Sequence, residues 1–346
     1  MLSPNPSPAP TDDEWRALYE AANAFYALKP WQWFDDNQIF GIYHSESHTV
    51  AYCCIMGALG EVLALGVYLG NRGYSGLKAL MESGQDWASM EDAYAHQYAL
   101  VASFENRNDL SRADREVIRR LGYKYRGRQS WPCFRFYEPG YVPSPISGEQ
   151  ARLLRTALEQ AQHIVEEYRR QPEALRARPG YVLVRRPPSA GHQWVNVWEQ
   201  EPPRTYPLEP AARPDKGVIK LARSLPWLDT AWDVDIFYLP ITIGGPRERG
   251  QMPRTALVVD HESGMILGVL LEDDHFIERV FHAIIQTMRK MGGKPQALYV
   301  RQHLVALLLS PLAEALGIEL VEVRLLPLVT EARRGLIASL RDHTSL

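Results

Sequence analysis

From residue 233 to the C-terminal end the apolar residues change period in a fixed order, and this order constrains the fold more than any other feature of the chain. DVDIFYLPIT (233–242), RTALVVD (254–260) and MILGVLLE (265–272) are rich in β-branched and aromatic residues and read as three strands. The turn HESG joins the last two and supplies Gly264 where a positive φ is useful. A helix follows, since Ile277, Val280, Phe281, Ile284, Ile285 and Met288 recur every three or four residues and Gly292 with Gly293 ends the run. ALYVR (297–301), HLVALLLSPLAEALG, IELVEVRLL (318–326) and LVTEARRGLIASL then read as strand, helix, strand and helix. The sum is βββαβαβα. Helices between the later strands require crossovers and a partly parallel sheet, whereas the first three strands can form an antiparallel meander.

The first half has a different grammar. Trp15, Leu18, Tyr19, Ala22, Phe25 and Tyr26 lie at helical spacing after cap candidates at Thr11 to Asp13, and Pro30 stops the helix. IFGIYH (39–44), AYCCIMGA (51–58) and VLALGVYLG (62–70) predict a β-meander. Helical patterns come near 73–83 and 89–101, then a helix from Ser111 to Gly122, a strand at 131–140 and a long amphipathic helix from Ser147. This is an α+β domain. We therefore expect a disordered tail at 1–10, an N-terminal α+β domain at 11–170, a Pro/Arg-rich connector with a strand pair at 171–225, and a C-terminal α/β domain at 226–346.

Charge is unevenly spread. Residues 1–110 hold 5 Lys/Arg against 14 Asp/Glu and residues 111–190 hold 16 against 8, although the whole chain is only −3. Such a basic block can attract phosphates or pair with the chain's own acids. The three cysteines have neither CxxC spacing nor a nearby His cluster, so no zinc site or disulfide framework is expected. No apolar run approaches the roughly 20 residues that span a bilayer, and the start of the chain lacks a signal-peptide pattern. A cytoplasmic protein is expected, with no membrane partner.

The βββαβαβα half resembles the ribonuclease H fold shared by retroviral-type integrases and transposases. Trp232 stands three residues before Asp235, as a Trp precedes the first-strand Asp in those enzymes, and the turn Glu262-Ser263-Gly264 resembles their hairpin. The resemblance implies carboxylates from the first strand, the end of the fourth strand and the last helix, holding two metal ions about 4 Å apart for phosphodiester cleavage. Asp235, with Asp233 on the same strand face, matches the first position, and Glu331 the third. The second position holds Arg301, followed by Gln302 and His303. A guanidinium cannot ligate a divalent cation and opposes one by charge. We thus expect no metal or cofactor, Mg²⁺ entering only if the chain were a nuclease with a rearranged site. Arg301 is instead expected to pair with Asp233 or Asp235. The words WRALYEAA, LKPWQWF, MGALGE, VYLGNRG, SFENRNDLS and GYKYRGRQSWPCFRFYEPGY make the whole chain similar to uncharacterised two-domain bacterial proteins known only as domains of unknown function.

One further stretch bears on binding. YKYRGRQSWPCFRFYEPGY (123–141) interleaves Arg126, Arg128 and Arg135 with aromatics that include Trp131, a mixture that holds phosphates and stacks bases in single-strand binders. Plain strand alternation, aromatics inward and arginines outward, predicts the same pattern by itself and is the preferred reading. GNRGYSG (70–76) lacks a GxGxxG or Walker lysine and reads as a turn. No G-x-S-x-G or H-E-x-x-H occurs. The expectation is a binding or regulatory protein on an incomplete ribonuclease H-like scaffold. A nuclease with a rearranged site and a nucleic-acid-binding accessory protein are the alternatives. Any partner is a weakly held nucleic acid or a protein.

Overall fold

A computed structural model describes residues 8–82, 96–187, 193–205, 213–244, 249–271 and 275–344. They fall into two compact units. Described residues up to 205 form the first, except 140–142, which group with the second.

In the first unit, α1 (Asp12–Ala27) starts at a capping box in which the Thr11 hydroxyl accepts from Glu14 N while the Glu14 carboxylate accepts from Thr11 N. The remaining elements are β1 (Ile39–His44), β2 (Thr49–Met56), β3 (Ala64–Leu69), α2 (Gly70–Glu82), β4 (Ala99–Glu105), α3 (Arg112–Arg120), β5 (Trp131–Tyr137), α4 (Gly148–Arg170), β6 (Tyr181–Arg186) and β7 (Val195–Gln200). The strands make one sheet in the order β5-β4-β3-β2-β1-β6-β7. β1 to β5 form an antiparallel meander, and α4 carries the chain across so that β6 pairs in parallel with β1. α1 and α4 cover one face: Leu18, Phe25, Leu154 and Leu158 join Ile42, Ile55, Val67, Leu100 and Phe134 in one core.

Several expectations change here. Of the tail expected at 1–10, residues 1–7 lie outside the described residues. Pro8 O accepts from Gly148 N, and Pro10 is buried. The helical pattern near 89–101 gives way at its described end to β4, because Leu100, Ala102 and Phe104 enter the core with period two; residues 89–95 lie outside the described residues. The strand pair placed in the connector is part of the first sheet, as Phe40↔Leu183 and Val184↔Val197 register shows. GNRGYSG is not a turn but the opening of α2. A Cβ on Gly73 would sit 2.6 Å from the Tyr68 carbonyl carbon, and one on Gly76 only 2.0 Å from His96 O. These glycines allow helix and backbone to touch.

The second unit contains α5 (Lys216–Arg223), β8 (Ala231–Tyr238), β9 (Arg254–Asp260), β10 (Ile266–Leu271), α6 (Phe276–Met291), β11 (Ala297–Val300), α7 (His303–Leu316), β12 (Glu319–Glu322) and α8 (Pro327–Thr344). Its sheet runs β10-β9-β8-β11-β12. β8, β9 and β10 are antiparallel, and β11 is parallel to both β8 and β12. Alternation along β8 decides what lies where. Trp232, Val234 and Ile236 enter the core with Phe281 and Ile284 of α6 and Leu309 and Leu312 of α7. Asp233, Asp235 and Phe237 point to the opposite face, where Phe237 packs with Leu257, Val259, Val329 and Ile337 beneath α8. Among the described residues no helix is long and apolar enough to cross a membrane.

Candidate functional site

Two carboxylates on the α8 face of β8 are 99% and 96% removed from solvent, Asp233 at 1% exposure and Asp235 at 4%. An unpaired carboxylate at that depth is strongly disfavoured, so their partners define the site. Asp233 Oδ1 lies 2.6 Å from His261 Nδ1, and the His261 ring stacks on Tyr299 with centroids 4.6 Å apart. His261 follows directly on β9, and Tyr299 is the register partner of Asp233 on β11. Burial pushes the Asp233 carboxyl above the usual carboxylate value, against the pull of the His261 hydrogen bond.

Asp235 meets a different partner. Arg333 Nη1 donates to Asp235 Oδ2 at 3.1 Å, with both side chains buried, and the guanidinium lies 4.1 Å from the Phe237 ring centroid. Val329, Arg333 and Ile337, spaced by four, form the inward stripe of α8. The charge is thus delivered by the helix that covers the acids.

Sequence reasoning had assigned this role to Arg301. The pairing of β11 with β8 stops at Tyr299↔Asp233, two residues short of Asp235, and α7 begins at His303, so the chain leaves the sheet at Arg301. Among the described residues, the partners of the two acids are His261 and Arg333. Glu331 does not join them; it is exposed, two residues and so about 200° around the helix from Arg333. His303 Nδ1 is 3.0 Å from Glu322 Oε2, an exposed pair at the ends of α7 and β12. Among the described residues no group of three or more His, Cys, Asp or Glu could hold a metal ion. The arrangement can fix the packing of α8 on the sheet, but it offers no open pair of carboxylates to a cation.

The binding candidates of the first unit also separate. Arg135 is not turned to water. Its Nη1 donates to Asp114 Oδ1 at 2.9 Å and to Phe134 O at 2.8 Å. Burial raises the Asp114 carboxyl, but the hydrogen bonds from Arg135 and Ser111 outweigh it and hold the group below the usual range. Arg126 and Arg128 are exposed in the loop before β5, and Trp131, at the start of that strand, lines a cavity beside α3. The sequence reading missed Arg333 and His261. Arg333 was legible as a cation on the apolar stripe of an amphipathic helix, whereas His261 carried no signal beyond its place after a strand.

Residues 15–185 match a domain family described as a domain of unknown function (DUF7309), and residues 219–337 match a second, also a domain of unknown function (DUF6930). Two such domains cover most of the chain, in agreement with the two-domain expectation from its sequence words. No curated protein matches it.

Proposed function

We propose that this protein acts by binding rather than by cleavage, and that its second unit is a ribonuclease H-like scaffold in which internal cations have replaced the metal ions. Support for the scaffold is the sheet order β10-β9-β8-β11-β12, an antiparallel three-strand meander extended beyond its first strand, β8, by the parallel strands β11 and then β12. The observation that carries the loss of catalysis is the buried Arg333–Asp235 pair. A divalent ion at Asp235 would have to displace a guanidinium already seated there, and Arg301 stands where a second carboxylate would be needed.

The test is a cleavage assay on the full chain, with labelled single- and double-stranded DNA and RNA in Mg²⁺ or Mn²⁺. The expected result is no turnover above buffer. Metal-dependent cleavage that disappears in Asp235→Ala would reverse the proposal.

A further inference from the structure

We propose that a cavity in the first unit, beside α3, is a binding site for a nucleoside phosphate. The inference supplies a ligand class for the binding role, resting on that reading only in expecting capture without turnover. It stands on residues of the first unit alone, so its failure would leave the closed site on β8 untouched.

The cavity is about 480 Å³, within the roughly 300–1,000 Å³ of small-molecule sites. Arg112, Arg115, Glu116 and Arg119 line it from one face of α3, at spacings of three and four. Arg107 comes from the loop after β4, and Lys124 from the turn after α3. Against these five cations stands one lining acid, Glu116, which bonds Arg112 at 2.8 Å. Arg107, Arg115, Arg119 and Lys124 have no hydrogen-bonding or ion-pair partner for their side chains among the described residues.

Some other arginines of this unit find acids. Arg120, on the same helix, meets Asp12 at 2.8 Å, Arg152 meets Glu14 at 2.6 Å, and Arg135 meets Asp114. Like charges gathered on one helix face repel, so the cluster is unfavourable unless an anion joins it. The helix dipole favours Arg119 in the last turn, but it does not account for Arg107 or Lys124, which come from outside the helix.

The floor of the cavity selects more than a bare anion. α3 ends in a Schellman turn: Tyr123 N donates to Ile118 O at 3.1 Å and Gly122 N to Arg119 O at 3.1 Å, with Gly122 at φ 80°. Ile118, Tyr123 and Trp131 line the cavity, with the Tyr123 ring against Tyr19 at 5.3 Å and Tyr125 at 6.0 Å between centroids. Rings beside several guanidinium groups fit a ligand that carries an aromatic base and a phosphate together. A free nucleotide and a nucleotide within a single strand present that same chemistry. Arg126 and Arg128 are exposed on the adjoining loop.

The full chain is titrated by calorimetry with ADP, inorganic pyrophosphate and adenosine, and by anisotropy with a short labelled oligothymidylate. ADP is expected to bind about tenfold or more tighter than pyrophosphate or adenosine, because each of those lacks one half of the recognised group. Arg115→Gln combined with Lys124→Gln should weaken ADP by about tenfold or more while leaving the circular dichroism spectrum unchanged. Trp131→Leu should erase the preference for ADP over pyrophosphate. Should that variant fail to fold, Arg107→Gln, on an exposed loop, must still weaken ADP. Oligothymidylate binding tighter than ADP and lost in the same variants identifies a strand as the source, and the reverse order a free nucleotide. Pyrophosphate binding as tightly as ADP, or ADP binding unchanged in the charge variants, would overturn the proposal.

Discussion

Arg333→Met is expected to destabilise the second unit by about 3–5 kcal/mol, the range for stripping one partner from a buried ion pair. The loss does not come from the attraction itself. Asp235 is 4% exposed and would be left as an uncompensated carboxylate beneath α8. The double variant Asp235→Leu, Arg333→Met removes both charges from the same space, so it should recover most of the loss and can equal the parent chain. Hydrogen exchange of the β8 and β9 amides reads this unit without interference from the other, which matters because a chain of two units does not unfold in one step. Equal protection in the single and double variants would show that the pair is not the determinant of α8 packing.

Gly76→Ala should cost about 3 kcal/mol or more in the first unit. Within an exposed helix the same change would stabilise by about 1 kcal/mol. Here the new Cβ would fall 2.0 Å from His96 O, a backbone atom that cannot rotate aside, so the helix and the segment before β4 must part. Gly335→Ala is the matched control, because it lies inside α8 with nothing within 4 Å of the added carbon. Urea unfolding should show the first variant weakened and the second unchanged or slightly strengthened. Loss of the same size in both would mean that backbone conformation, not the His96 contact, sets the requirement for glycine.

These residues also mark how far the sequence could be read. Strands that read as short continuous apolar runs, such as Arg254–Asp260, have the bounds that their residues predict, and the amphipathic α6 ends where its glycines predict. Gly73 and Gly76 were misread because a glycine needed for a turn and a glycine needed for close approach look identical until the neighbouring backbone is known. Ala99–Glu105 was partly misread because Ala and Leu suit both periods, and only burial between β3 and β5 decides. At the candidate site, the two acids and their shared face followed from alternation along β8. Their partners did not. The expectation for Arg301 extrapolated a register that ends two pairs too soon, whereas Arg333 reaches Asp235 from 98 residues further along the chain. The cationic face of α3 was legible as spacing, but which of its arginines find acids depends on where α1 packs.

The central claim is that the acidic face of β8 is closed to metal by its own cations. Calorimetric titration of the full chain with Mn²⁺, alongside Asp235→Asn, tests it most directly. The account predicts no saturable heat in the parent chain up to millimolar ion, and the same flat trace in the variant. Saturable binding of one or two ions per chain, abolished in Asp235→Asn, would contradict it.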